Sequence, residues 1–269
     1  MSGHAKRLLV LSIWVWALAA CGSKAPDYVE RPVEQIYNEA MDEVDKGSYP
    51  NAAKLFDEVE RQHPYSAWAT KAQLMAAYAY YQNNKYDQAI AALDHFIELH
   101  PSNRDTAYAY YLKGLSYYEQ ITDVGRDQAV TEQALNSLDE LIRRFPDSKY
   151  ARDARLKVDL TRNHLAGKEM EIGRYYLTRG QYLAAVNRFR RVIEGYQTTE
   201  QIPEALHRLT EAYLRLGVRQ EAQASAAVLG YNYPGSDWYK RSYDLLASEG
   251  LSPDYNNRGW LGRLLGAVF

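Results

Sequence analysis

The groups with which this sequence can do chemistry are one cysteine, six histidines, 34 carboxylates and an unusual stock of 24 tyrosines against 5 phenylalanines. A single thiol excludes a disulfide framework. No nucleophile elbow, phosphate loop, metal-binding helix or paired-cysteine motif is present. His95 and His100 stand five residues apart, the wrong spacing for one helical face, with no third ligand nearby. His63 and His100 each precede a proline, so their expected place is a helix end, where a cation meets the last carbonyls. No Asp or Glu stands in an apolar setting that would clearly raise its pKa toward that of a general acid. The pattern predicts a scaffold, not an enzyme, with no metal and no cofactor beyond a covalent lipid. A net charge of −2 over 269 residues argues against nucleic acid as the main partner, and a mean hydropathy of −0.52 argues against a polytopic membrane protein.

The lone thiol, Cys21, has its own context. Lys6 and Arg7 precede an apolar run from Leu8 to Ala20, broken only by Ser12, which is too short to span a bilayer core of about 20 helical residues. The run ends Leu18-Ala19-Ala20-Cys21 and resembles the lipobox of bacterial lipoproteins, with Cys21 taking a diacylglycerol. Residues 1–20 then form a signal peptide, and more than one acyl chain on Cys21 makes a stable anchor at about 0.8 kcal/mol per buried methylene. Gly22, where an Asp is absent, resembles the rule for export to the outer membrane. Residues 21–32 read as a lipidated, flexible tether.

The elements beyond the tether carry one recurring phrase. Ala52, Ala89, Ala134, Ala185 and Ala222 serve as anchors. Four residues after each stand Phe56, Leu93, Leu138, Phe189 and Ala226; seven after stand Val59, Phe96, Leu141, Val192 and Leu229. That spacing is one helical face. Pro64, Pro101, Pro146, Gln197 and Pro234 follow twelve residues after the anchors, so a proline ends the helix in four cases of five. Gly47, Asn84, Gly180 and Gly217 stand five residues before their anchors, where a left-handed residue closes a preceding helix. Each unit is therefore helix, tight turn, helix, and the phrase resembles the tetratricopeptide repeat. The expected fold is an all-α solenoid of about five such units plus a C-terminal capping helix. Ser236 or Asp237 would cap that last helix, which carries Trp238, Tyr239, Tyr243, Leu245 and Leu246.

Two long intervals break the period. Ile121 to Gln128 reads as a polar loop inside the third unit, and a helix from about Tyr150 to Thr178 joins two halves of the array. The expected division is repeats 1–3 over 33–146, repeats 4–5 and the cap over 147–249, and a tail over 250–269. In the tail, Trp260, Leu261, Leu264, Leu265, Val268 and Phe269 have helical spacing. The tail either forms a short amphipathic helix on a membrane or in a partner groove, or packs on the array.

Charge and rings are unevenly placed. Residues 27–140 carry 9 basic and 20 acidic side chains, whereas 141–195 carry 13 and 6. Solvated helix faces are the plain explanation, and docking of an acidic partner on the basic block is its competitor. Tyrosines gather on first helices, at Tyr78, Tyr80 and Tyr81, Tyr108, Tyr110 and Tyr111, Tyr117 and Tyr118, and Tyr175 and Tyr176. Adjacent rings cannot all face the core. Those left outside suit extended peptides at little ordering cost.

The strings Tyr78-Ala79-Tyr80-Tyr81, Phe96-Ile97-Glu98-Leu99-His100-Pro101, Tyr110-Tyr111-Leu112-Lys113-Gly114-Leu115, Tyr150-Ala151-Arg152-Asp153-Ala154 and, above all, Ala184-Ala185-Val186-Asn187-Arg188 resemble the BamD (YfiO/ComL) family of outer-membrane assembly lipoproteins. The resemblance runs from Cys21 to about Tyr239; Gln197 and the tail after Gly250 depart from it. It implies a non-enzymatic subunit of the β-barrel assembly machine, at the inner leaflet of the outer membrane and facing the periplasm. Its implied partners are unfolded β-barrel proteins at the N-terminal repeats, a POTRA domain of a BamA-like insertase at the C-terminal repeats, and a BamC-like lipoprotein. It implies a substrate-receiving region at His63, Tyr65 and Trp68, beside the helix carrying Tyr78 and Tyr81, and partner docking at Asn187 and Arg188. Arg188 is expected at a helix edge, with Arg190 and Arg191 solvated. The alternative is a tetratricopeptide lipoprotein serving another envelope machine, such as secretin or pilus assembly.

Overall fold

The computed structural model describes residues 30–254 and 260–261, so Cys21 and the signal segment lie outside the described residues. Helices α1 (Val33–Asp45) and α2 (Tyr49–Gln62), α3 (Ala67–Gln82) and α4 (Tyr86–Leu99), and α5 (Thr106–Tyr118) and α6 (Ala129–Arg144) form three successive pairs. Helices α7 (Lys149–Thr178) and α8 (Tyr182–Gly195), then α9 (Ile202–Arg215) and α10 (Arg219–Asn232), form two more, and α11 (Asp237–Ser248) closes the series. The five anchor alanines all fall on second helices and are 0% exposed. The residues four and seven positions after each anchor are buried with them. This is the all-α repeat solenoid that the period predicts.

The repeat boundaries have a common physical cause. Gly47, Gly180 and Gly217 adopt φ of +72°, +72° and +76°, and Asn84 does the same at +57°, the left-handed turn that lets a second helix fold back on a first. Second helices then end on His63, His100, Phe145, Tyr196 and Tyr233, all with φ between −127° and −135° and ψ between 45° and 59°. A following proline disfavours the helical region for its predecessor. Tyr196 takes the same conformation ahead of Gln197, so the geometry survives where the proline lapses. At three of the next starts Ser66, Ser148 and Ser236 accept the backbone N–H three residues on, which settles the cap of α11 on Ser236.

Two expectations need correction here. The cap conformation turns the histidine rings toward the preceding elements, away from their own helix's last carbonyls. His63 Nε2 lies 2.7 Å from the Arg31 carbonyl, and His100 Nε2 lies 2.9 Å from Gln73 Oε1 on α3. Arg190 is likewise not simply solvated, whereas Arg191, its side chain 62% exposed, is solvated as expected. The Arg190 guanidinium lies 4.1 Å from the Trp260 ring centroid and pairs with Glu194, and Arg191 reaches Glu169.

The first helices α1, α3, α5, α7, α9 and α11 also touch one another in series, which makes them one wall of the array. α7 serves both halves, since α6 packs against it on one side of the break and α8 on the other. The 119–128 loop is fastened to α7, with Lys168 Nζ donating to the Gly125 carbonyl at 2.8 Å and Val124 lying over Gly167. At the other end, Leu261 is fully buried in the C-terminal core and Trp260 packs beside it, so this part of the tail packs on the array. No helix among the described residues is long and apolar enough to cross a membrane.

Candidate functional site

The wall of first helices displays tyrosines at a repeated spacing of three, which places two groups on one helical face. On α3 these are Tyr78 and Tyr81, on α5 Tyr108 and Tyr111, and on α7 Tyr150 and Asp153. All five rings are half-buried, so each packs with one side and presents the other. Tyr150 sits against both α5 rings, 5.1 Å from Tyr111 in a near-parallel stack and 5.4 Å from Tyr108. Tyr111 Oη donates to Asp153 Oδ2 at 2.6 Å. Tyr81 leans on Tyr86 at 5.8 Å and points its hydroxyl at Glu119 Oε1, 3.5 Å away. Tyr78 meets Tyr49 edge to face at 6.4 Å.

Burial, with Glu119 second, pushes the Tyr81 pKa up to about 12. Burial chiefly raises Tyr108 and Tyr111 as well, and Asp153 adds to the rise at Tyr111. These phenols therefore remain protonated donors at physiological pH. The result is a rigid row of rings with hydroxyl and carboxylate edges across three repeats. It suits the side chains and backbone amides of an extended chain.

The other expected substrate residues sit elsewhere. Trp68 opens α3 and packs 4.8 Å from Tyr37 with the N-terminal core, with Lys71 over its ring. Tyr65 is completely exposed, at 101%, and His63 is tied to the chain ahead of α1. From Trp68 to Tyr78 and Tyr81 the helix rises about 15–20 Å. The structure therefore joins Tyr78 and Tyr81 to a row on α5 and α7, and separates both from His63, Tyr65 and Trp68. The sequence reading missed Tyr150, Asp153 and Glu119 as members of this row. The signal available was the spacing of three, repeated at 78/81, 108/111 and 150/153.

On α8, Asn187 is exposed, and Leu183 one turn before it is 67% exposed. Arg188 is half-buried and lies across the α7–α8 seam, with Nη1 3.0 and 3.3 Å from the two oxygens of Glu169. Arg191 reaches the same carboxylate at 3.4 Å, whose side chain is only 17% exposed. Two guanidinium groups on one shielded carboxylate leave this edge positive. A guanidinium has five N–H donors, and Glu169 occupies one nitrogen of Arg188, so the pair does not use up its capacity for a partner's acid. Among the described residues, no three His, Cys, Asp or Glu side chains converge as a metal site.

The model of the family YfiO, outer membrane lipoprotein, matches residues 29–229. The chain is 52% identical over 241 residues to the outer membrane protein assembly factor BamD of Caulobacter vibrioides, covering 88% of this chain and 79% of that one. It is 46% identical to the BamD of Rickettsia prowazekii, covering 89% and 94%, and 36% identical to that of Neisseria meningitidis, covering 88% and 95%. Among solved structures, a thermophilic TPR protein of Thermus thermophilus aligns with a TM-score of 0.38 at 20% identity, over 80% of this chain and all of that one.

Proposed function

On the premise that this chain belongs to the YfiO family of outer membrane lipoproteins, and so is an outer membrane protein assembly factor of the BamD kind, we propose a division of labour within it. The N-terminal repeats, together with the first turn of α7, receive unfolded β-barrel proteins on the tyrosine row, and the C-terminal repeats dock the POTRA domain of a BamA-like insertase through the Asn187–Arg188 edge of α8. A BamC-like lipoprotein is a further partner, and the protein acts by binding alone. It faces the periplasm from the inner leaflet of the outer membrane. Family membership favours this reading over secretin assembly.

The observation that carries the reading is the row itself, in which three successive first helices align half-buried rings. Each good aromatic contact is worth about 1 kcal/mol. The Tyr81→Ala, Tyr111→Ala double variant is therefore expected to bind a labelled barrel-derived peptide ending in an aromatic residue about 10- to 30-fold more weakly. Fluorescence anisotropy measures this, and wild-type affinity in the double variant rejects the row as the receiving site.

The anchor is tested separately. Cys21→Ser is expected to leave an unlipidated precursor and to abolish stable outer-membrane association, with the melting temperature of the repeats unchanged because their core begins past residue 32. Metabolic labelling with a fatty-acid analogue reads this out. Label retained on the Cys21→Ser chain would contradict acylation at this thiol.

A further inference from the structure

The first helices of the C-terminal half carry a row of different chemistry. Arg174 on α7 donates from Nη1 to Glu204 Oε2 on α9 at 3.2 Å. Arg208, one turn along α9, takes the other oxygen of Glu204 at 3.3 Å and reaches Glu211 at 3.0 Å. The same Arg208 guanidinium lies 5.5 Å from the ring centroid of Trp238, in the first turn of α11. Arg241, also on α11, lies 4.9 Å from that centroid. The row thus runs Arg174, Glu204, Arg208, Trp238, Arg241 across three first helices.

Its parts differ in how far they are committed. Arg208 is held by two carboxylates and a ring. The His207 imidazole lies 5.2 Å from Trp238 and shares a hydrogen bond of 2.8 Å with Ser242. Burial pushes its pKa down to about 4, so it adds no charge at neutral pH. Arg241 is exposed and makes no hydrogen bond or ion pair among the described residues, although Asp237 and Asp244 stand on the same helix. Stacking on Trp238 engages the face of a guanidinium and leaves its edge donors open. Arg174 likewise gives Glu204 one nitrogen of its fork. Two oriented guanidinium edges, stiffened by a ring and by Glu204, are what a carboxylate needs for paired hydrogen bonds.

We propose that this row is a second peptide site, which takes an extended acidic segment of a partner protein, with carboxylates received by the edges of Arg241 and Arg174. The occupant follows from charge. Glu204 and Glu211 are both already paired within the row, and Asp237 and Asp244, although on the helix of Arg241, make no ion pair with it among the described residues. The tyrosine row bears Glu119 and Asp153 instead, the latter also meeting Lys157, and α3 and α5, which carry four of its five rings, lie in the acidic block 27–140. One solenoid therefore sorts two kinds of extended segment. The site is carried by α7, α9 and α11, whereas Asn187 and Arg188 are on α8.

The test uses the full-length lipoprotein in detergent micelles and a fluorescein-labelled glutamate-rich peptide, with its glutamine counterpart of equal length as the second probe. Wild type is expected to bind the glutamate peptide in a salt-sensitive manner and the glutamine peptide far more weakly. Arg241→Glu is expected to lower affinity for the glutamate peptide at least about tenfold, and Arg241→Gln by a smaller factor. Circular dichroism melting checks that each variant is folded, and Arg241→Gln alone decides the matter if the glutamate variant is not. Equal binding of the two peptides by wild type, no binding of the glutamate peptide, or wild-type affinity in a folded Arg241 variant would each overturn the proposal.

Discussion

Arg188→Glu is expected to weaken the complex with the insertase's POTRA domain at least about tenfold, since losing one side of a desolvated guanidinium–carboxylate pair costs about 2 to 5 kcal/mol. The same change acts inside the molecule, because it sets a second carboxylate beside Glu169, which Arg188 now neutralises from 3.0 Å. A drop in melting temperature therefore accompanies it and has to be separated from docking. Glu169→Gln does so. It removes the negative charge that both Arg188 and Arg191 meet while keeping one amide oxygen as acceptor, costs stability at the same seam, and leaves the guanidinium positive. POTRA binding, measured by calorimetry at moderate salt, is expected to be retained in Glu169→Gln, lost in Arg188→Glu and restored by a compensating acid-to-arginine change on the partner. Equal loss of binding in both variants would mean that Arg188 only holds the seam.

Gly173→Val is expected to be among the most damaging single changes in the C-terminal half. A Cβ at Gly173 would lie 2.4 Å from Phe189 Cε1, and Phe189 is fully buried on the facing helix. α7 and α8 can approach this closely only over a glycine. Overpacking a core in this way costs about 1 to 3 kcal/mol, sometimes more, which lowers the melting temperature of a chain this size by roughly 2 to 12 °C. Differential scanning calorimetry checks the shift. Because Phe189 follows Arg188 on α8, the shift is expected to come with weaker POTRA binding. A Gly173→Val chain with wild-type melting would show that the seam has room the geometry denies.

The contrast between Phe189 and Arg188 explains what was legible beforehand. Core positions repeat, so Ala185, Phe189 and Val192 declare themselves by spacing alone, and Gly180 and Gly217 declare the turns by the backbone they must adopt. Surface contacts made between distant segments do not repeat. Nothing local to Arg188 or Arg190 points to Glu169, nineteen residues before Arg188, or to the ring of Trp260. The tyrosine row lies between these cases. Its spacing of three is periodic and readable, but the pairing of Tyr111 with Tyr150 and Asp153 needs the register of α5 on α7. Trp68 and Tyr81 show the converse, since they share one helix yet stand at its two ends.

Photo-crosslinking in intact cells, with a photoreactive phenylalanine analogue placed singly at position 111 or 187, tests the division of labour between the two halves most directly. Position 111 is expected to give adducts with unfolded barrel precursors that increase when precursors accumulate. Position 187 is expected to give adducts with the insertase's POTRA domain whether or not precursor is present. Precursor adducts from 187 and none from 111, or insertase adducts from both positions alike, would contradict a tyrosine row that receives substrate and an α8 edge that docks the insertase.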